Sequence, residues 1–167
     1  MSSNINQNWK MICRYMNEFD LQYHKLAEYF GLSDSSFWIL YELYESKNGC
    51  TQKELCYDYA INKQTINSAV KCLIKEGYVI LENLEDSKKY KVLKLTEDGK
   101  NIAKNTIGKV MRLENKTSKD IDENEMLQVV SFLEKQAIIF TNEVNAVIND
   151  KNRRDKNENS IIRKIHV

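Results

Sequence analysis

The chain has 167 residues, of which 25 are lysine or arginine and 24 are aspartate or glutamate, so its formal net charge is +1. This balance argues against a polybasic nucleic-acid coat and against an acidic tail protein, but it allows a local basic patch. With no proline and 5 glycines, the chain has few of the turn residues that a sandwich or barrel needs. The composition therefore favours a mainly helical protein of one domain, or of one domain with an extension.

The N-terminal segment has apolar residues at alternating steps of four and three: Ile5, Trp9, Ile12, Met16, Phe19, Tyr23, Leu26 and Phe30. This spacing predicts a helix over residues 5–30 that is packed along its whole length and stopped by Gly31. An ordinary amphipathic core helix would show the same pattern. Because the apolar stripe begins at the extreme N-terminus, we favour an interface with a second copy of the chain.

The middle of the chain contains shorter elements in close succession. The capping and spacing signals predict a helix from Ser33 closed by Gly49, a short helix capped by Thr51, a helix from Asn62 to Gly77, and a hairpin with strands 78–81 and 90–95 around a polar turn at 85–89. This order is typical of a winged helix-turn-helix.

A helix is predicted to begin at Thr96, and a longer one after the capping box of Asp122 and Glu125. The longer one repeats the four-and-three spacing at Met126, Val130, Leu133, Ala137, Phe140, Val144 and Val147. We therefore predict a mainly α fold with a small β-hairpin wing. Its winged helix-turn-helix (residues 33–95) is flanked by dimerisation helices (5–30 and 96–148). The polar tail, residues 149–167, is compatible with helix, phosphate contacts or disorder.

The predicted third helix carries the residue types that read DNA. Between Asn62 and Lys75 there are three lysines and no acidic residue, and the outward positions are Lys63, Gln64, Thr65, Asn67, Ser68 and Lys71. Glutamine and asparagine pair with adenine in the major groove, whereas lysine attracts phosphates. Further candidates are Thr51, Gln52 and Lys53 at the preceding helix start and Lys88 and Lys89 at the hairpin tip. A plain solvated face would also explain these polar residues.

The ordered set of segments resembles the MarR family of bacterial transcriptional regulators from about Ile5 to Ile148. The resemblance is carried by Leu32-Ser33, Phe37–Leu40, Thr51–Leu55, Lys63–Asn67, Leu73–Val79 and Leu95–Gly99. It implies a homodimer with two winged domains, a double-stranded, pseudo-palindromic DNA operator, and a small-molecule effector or redox signal that releases the DNA. One departure is Lys89, which stands where the Asp-x-Arg wing motif of the family has arginine; Asp86 is the candidate displaced acid.

The resemblance also implies an effector site between the winged domain and the dimerisation helices. Tyr15, His24, Trp38 and Tyr41 are the candidate ligand-binding residues, although aromatic residues at helical spacing are also typical of a core. Cys13 lies where some members carry a peroxide-sensing cysteine, but those members have tyrosines at the start of the second helix, where this chain has Ser35, Ser36 and Phe37. A buried, unreactive thiol is the alternative.

Other classes of function are not expected. The four cysteines form no Cys-x-x-Cys pair and the two histidines stand apart, so we expect no metal site and no cofactor. The sequence has no glycine-rich phosphate loop or nucleophile motif, which argues against an enzyme. It also lacks a signal peptide and an apolar run of about 20 residues, so we expect a cytoplasmic protein without a membrane partner.

Together these features predict a sequence-specific DNA-binding transcriptional regulator, a homodimeric repressor released by a ligand or another signal. The alternative is a winged-helix module that binds protein and has no specific DNA binding. The near-neutral net charge and Lys89 at the wing arginine position support that alternative.

Overall fold

In the computed structural model, helices surround a two-stranded antiparallel hairpin. The structure describes the backbone of residues 2–84 and 87–165, and the side chains of residues 4–83 and 91–151. The elements in chain order are α1 (Ser2–Tyr29), α2 (Asp34–Glu45), α3 (Gln52–Asp58), α4 (Lys63–Lys75), β1 (Val79–Leu84), β2 (Ser87–Leu95), α5 (Glu97–Asn105), α6 (Ile107–Thr117) and α7 (Glu123–Ile165). The predicted mainly α fold with a winged helix-turn-helix is confirmed.

Local capping determines where the helices of the winged domain begin. The Ser33 hydroxyl accepts a hydrogen bond from the Ser36 amide, and the Asn62 side chain accepts one from the Thr65 amide. The Thr96 hydroxyl likewise accepts from the amide of Gly99. These bonds satisfy amides that have no partner within the first turn of a helix. Each predicted start in this region is confirmed.

The helix that begins at Ser33 ends earlier than predicted. We expected Gly49 to close it, but α2 ends at Glu45 and Ser46 already has an extended backbone. Gly49 instead belongs to the link that leads to Cys50, which forms a β-bridge with Leu93 of β2. The residues after Glu45 thus form a link between α2 and α3 that contacts the hairpin.

The hairpin strands are longer than predicted. Val79 pairs with Leu95 and the ladder continues to Leu84 and Ser87, with an irregularity between Asn83 and Leu84. The predicted polar turn at 85–89 was therefore wrong, because residues 87–89 belong to β2. Strand pairing satisfies backbone groups that a polar turn would leave to water. Residues 85 and 86 lie outside the described residues.

The helix that begins after Thr96 is interrupted at Thr106. This residue has a backbone conformation outside the regular helix, and its hydroxyl donates to the Ile102 carbonyl at 2.8 Å. Threonine hydroxyls compete in this way for the carbonyls of the preceding turn. The interruption separates α5 from α6, yet Ile107 and Val110 of α6 are still buried in the core.

The core joins α2, α3, α4 and the hairpin. Its largest fully buried side chains include Phe37 and Leu40 of α2, Leu55 of α3, Leu73 of α4 and Leu93 of β2. Their burial packs α2, α3, α4 and the hairpin against one another. The packing therefore leaves the opposite face of α4 exposed to solvent.

The chain divides into two compact units, Met1–Lys116 and Thr117–Val167. In the second unit, the Asp122 carboxylate accepts from the amides of Asn124 and Glu125 and starts α7, as predicted. The helix continues past residue 148, so the polar tail is helical as far as Ile165. Within the part of the chain that is described, no helix has the length and hydropathy needed to cross a membrane.

Candidate nucleic-acid interface

The second helix of the helix-turn-helix, α4, has one buried face and one exposed face. Ile66, Val70 and Leu73 point into the core. Lys63, Gln64, Thr65, Ser68 and Lys71 are exposed, and Asn67 is half-buried. Because α4 contains no acidic residue and two of these exposed residues are lysines, its solvent face attracts anions.

The exposed polar residues of α4 are not equally available for a new contact. The Thr65 hydroxyl donates to Asn62 at 3.0 Å, and the Ser68 hydroxyl donates to the Gln64 carbonyl at 3.0 Å. Both hydroxyl groups therefore have their protons engaged within the helix. The side chains of Gln64, Asn67 and Lys71 form no hydrogen bond or ion pair with another described residue. They are therefore available to contact a ligand.

At the start of α3, the backbone amides of Thr51 and Glu54 already donate hydrogen bonds to protein side chains. The Thr51 amide donates to the Glu54 carboxylate at 2.7 Å, and the Glu54 amide donates to the Thr51 hydroxyl at 3.2 Å. The hydrogen bond from the Thr51 backbone lowers the pKa of Glu54 and keeps the carboxylate ionised. This negative charge disfavours a phosphate beside Thr51 and leaves Gln52 and Lys53 as the candidate contacts at this end.

The two wing candidates lie on the second strand of the hairpin. Lys88 and Lys89 lie in β2, next to the hairpin tip, and their side chains are outside the described residues. Further along the same strand, Lys91 is exposed. The strand therefore carries a third lysine towards the tip that the sequence reading did not single out.

Comparison with known proteins finds a family model that matches the middle of the chain. The MarR family model matches residues 30–89, from the end of α1 to the hairpin. Residues 30–89 are therefore similar to a MarR-family domain. No curated protein matched the sequence.

Solved structures of other proteins show a similar fold over most of the chain. NMB1585, a MarR family regulator from Neisseria meningitidis, superposes with a TM-score of 0.66 at 20% identity, over 86% of this chain and 95% of that one. CouR from Rhodococcus jostii RHA1, bound to p-coumaroyl-CoA, gives 0.65 at 18% identity over 76% and 89%. A Listeria monocytogenes MarR family protein complexed with 26mer DNA gives 0.62 at 23% identity over 77% and 85%.

Aromatic side chains from α1, α2 and the end of α3 form a cluster. Trp38 lies 5.0 Å from Tyr23 and 5.1 Å from Tyr59 between ring centroids, and it is stacked on Tyr59. Tyr41 is 5.6 Å from Trp38. The hydroxyls of Tyr23 and Tyr41 both donate to the Glu114 carboxylate, at 2.7 and 2.9 Å. Burial and this carboxylate raise the pKa of both tyrosines, so both stay protonated donors.

The structure brings together only two of the four predicted ligand-binding residues. Trp38 and Tyr41 belong to the aromatic cluster, which also contains Tyr23 and Tyr59. Tyr23 had been assigned to the apolar seam of α1. Glu114 was missed as well, since no local pattern marks a carboxylate that two distant tyrosines bind. Only the tertiary packing shows it.

The other two candidates lie apart from the cluster. Tyr15 is 54% exposed and lines a shallow groove on α1 together with Phe19. The His24 Nδ1 atom is 2.9 Å from the Asp34 carboxylate, and its Nε2 atom is 3.6 Å from that of Glu28. The hydrogen bond with Asp34 raises the pKa of His24 and links α1 to the first turn of α2.

The redox and metal predictions concern other parts of the chain. Cys13 is half-buried on α1, and its redox role stays a prediction. Ser36, at the start of the second helix, is buried and receives a hydrogen bond from the Ser33 hydroxyl. Among the side chains that the structure describes, no three His, Cys, Asp or Glu residues are grouped to hold a metal ion.

Proposed function

We propose that the chain is a sequence-specific DNA-binding transcriptional regulator. In this proposal it acts as a homodimeric repressor that a small ligand or another signal releases from a pseudo-palindromic operator. The observation that carries the proposal is the exposed face of α4, with Lys63, Gln64 and Lys71 and no acidic residue on the helix. The second helix of a helix-turn-helix enters the major groove with its N-terminal residues at the base edges. The Listeria complex with DNA supports the same use of this fold.

Base readout is assigned to Gln64 and Asn67. An amide side chain offers a donor and an acceptor that match the N7 and N6 atoms of adenine. Lys63 and Lys71 are assigned to phosphate groups, which attract any DNA sequence equally. Lys53 and the wing lysines, Lys88 and Lys89, are proposed to add backbone contacts on either side.

Homodimerisation is supported by the apolar faces of α1 and α7. Ile5 and Phe19 of α1 are 70% and 67% exposed, and Val130, Phe140 and Val147 of α7 are 57%, 59% and 70% exposed. An extended stripe of large apolar side chains is unfavourable in water and marks an interaction surface. A second copy of the chain would cover both faces by the same contacts, as a two-fold dimer requires.

The effector is assigned to the aromatic cluster of Tyr23, Trp38, Tyr41 and Tyr59. Ligand sites combine aromatic walls with a few oriented polar groups, and here the Glu114 carboxylate supplies the polar group. The cluster lies where α1, α2, α3 and α6 meet, so a ligand there would change how α3 is held. CouR bound to p-coumaroyl-CoA and NadR in complex with 4-hydroxyphenylacetate support ligand binding within this fold.

Fluorescence anisotropy at two salt concentrations tests the DNA assignment. The duplexes are the intergenic DNA upstream of the gene and a scrambled sequence of equal length. We expect tighter, salt-sensitive binding to the native fragment. Gln64→Ala or Asn67→Ala is expected to cost about 1–3 kcal/mol on the native fragment and little on the scrambled one.

The lysine variants separate phosphate contacts from base contacts. Lys63→Ala is expected to weaken both duplexes equally and to reduce the salt dependence, whereas the charge-matched Lys119→Ala is expected to bind like the parent chain. Equal, weak binding to both duplexes by a stable dimer would refute the proposal. It would favour the alternative, a winged-helix module that binds protein.

A further inference from the structure

A cleft of about 590 Å³ opens beside the wing. It lies between the end of α2, the base of the hairpin and α5, and its walls include Leu43, Tyr44, Glu82, Lys94 and Lys104. Among the described residues that line it, none belongs to α3 or α4 or to the aromatic cluster. The cleft shares the hairpin with the proposed wing contacts, but none of its described lining residues was assigned above to DNA or to the effector.

The walls of the cleft carry an excess of positive charge. Four lysines, at positions 47, 94, 100 and 104, face a single carboxylate, that of Glu82, among the described lining residues. Lys94 is 2.7 Å from Glu82, and Lys100 is 2.6 Å from Glu97. In the part of the chain that is described, Lys47 and Lys104 form no ion pair. Two cations therefore face the same space without a protein counter-charge, an arrangement that an anion would relieve.

The cleft also has an apolar side. Leu43 is buried, Leu95 is half-buried, and Tyr44 is 37% exposed at the wall. The Tyr44 hydroxyl packs against Gly108 of α6, where an added Cβ would lie 3.0 Å from it. The flat or aliphatic part of a ligand would pack against these side chains, and its charged part would contact the lysines.

We propose that this cleft binds a phosphorylated small molecule, with two or more negative charges on the lysines and an apolar body against Tyr44 and Leu43. Its volume falls within the roughly 300–1,000 Å³ of small-molecule sites. The lysine ammonium group attracts phosphate as a point charge, so the two groups need no matching planar geometry. A concave recess suits a small molecule better than the convex backbone of a DNA duplex. This is a second ligand site, independent of the function proposed above.

Isothermal titration calorimetry of the full chain with magnesium-free ATP tests the site. We expect one ATP per chain, and an affinity about tenfold weaker in Lys47→Ala/Lys104→Ala, since each exposed ion pair contributes modestly. Glu82→Gln removes the one negative lining charge and releases Lys94, so it is expected to tighten binding. A gain in affinity cannot result from misfolding.

The control is Lys116→Ala/Lys119→Ala, which removes the same charge outside the cleft and is expected to bind ATP like the parent chain. Absence of ATP binding, or an equal loss in both double variants, would overturn the proposal. DNA titrations provide a second criterion. If Lys47→Ala/Lys104→Ala weakened DNA binding and lowered its salt dependence without affecting ATP, the cleft would be a DNA backbone contact and the proposal would be wrong.

Discussion

Replacing Gly49 with alanine would test how the link between α2 and α3 is fastened to the wing. Gly49 has a φ of +78°, and an added Cβ would overlap the carbonyl oxygen of Leu93. The same carbonyl accepts the Cys50 amide at 3.3 Å, and the Leu93 amide donates to the Cys50 carbonyl at 2.8 Å. Alanine cannot be accommodated unless this bridge to β2 opens.

The size of the effect follows from these contacts. A left-handed backbone costs a residue with a side chain about 1–2 kcal/mol, and each lost backbone hydrogen bond costs about 1 kcal/mol. We therefore expect Gly49→Ala to lower the free energy of unfolding by about 3–4 kcal/mol. Gly77→Ala is the matched control, because Gly77 has a φ of +80° but no atom within 4 Å of the added Cβ. It is expected to cost only the backbone contribution, about 1–2 kcal/mol.

Urea unfolding at one protein concentration, followed by circular dichroism and tryptophan fluorescence, measures both variants. A fixed concentration matters because association with a second copy would change the apparent stability. Equal losses for Gly49→Ala and Gly77→Ala would refute the reasoning, since they would show that the Leu93 bridge adds nothing beyond backbone strain.

Two further predictions concern titrating groups. Asp34 raises the pKa of His24 above the ordinary value of 6.5, so the stability from this pair is complete below that pH and is lost as pH rises through the raised pKa. Asp34→Asn should thus lower Tm more at about pH 5.5 than at about pH 8.5, and a pH-independent loss would contradict this. Cys72 is exposed and donates to Glu76, whereas burial raises the pKa of Cys50 to about 12. A maleimide should therefore label Cys72 before the other cysteines. Cys72 should be labelled faster in the Glu76→Gln variant, and an unchanged labelling rate would argue against the hydrogen bond between Cys72 and Glu76.

The starts of α2, α3, α4, α5 and α7 could be predicted from neighbouring residues alone. Thr51 and Glu54, or Asn62 and the Thr65 amide, are three positions apart. Such capping contacts form within a single turn of chain and depend little on the rest of the fold. The outward face of α4 was predictable for a similar reason, because helical periodicity decides which positions turn away from the core.

Other features depend on segments that are far apart in sequence. Glu114 receives hydrogen bonds from tyrosines 91 and 73 positions away, and the cleft beside the wing combines α2, the hairpin and α5. Similarly, Cys50, in the link that follows the early end of α2, pairs with Leu93 of β2, 43 positions away.

The sequence by itself thus determined most helix starts, the presence of the hairpin and the polar face of α4, because capping and periodicity act over a few residues. Only the tertiary structure decided which aromatic side chains share a carboxylate and which lysines face one cleft. These arrangements arise when packing brings distant segments together, and no local pattern encodes the distance between them.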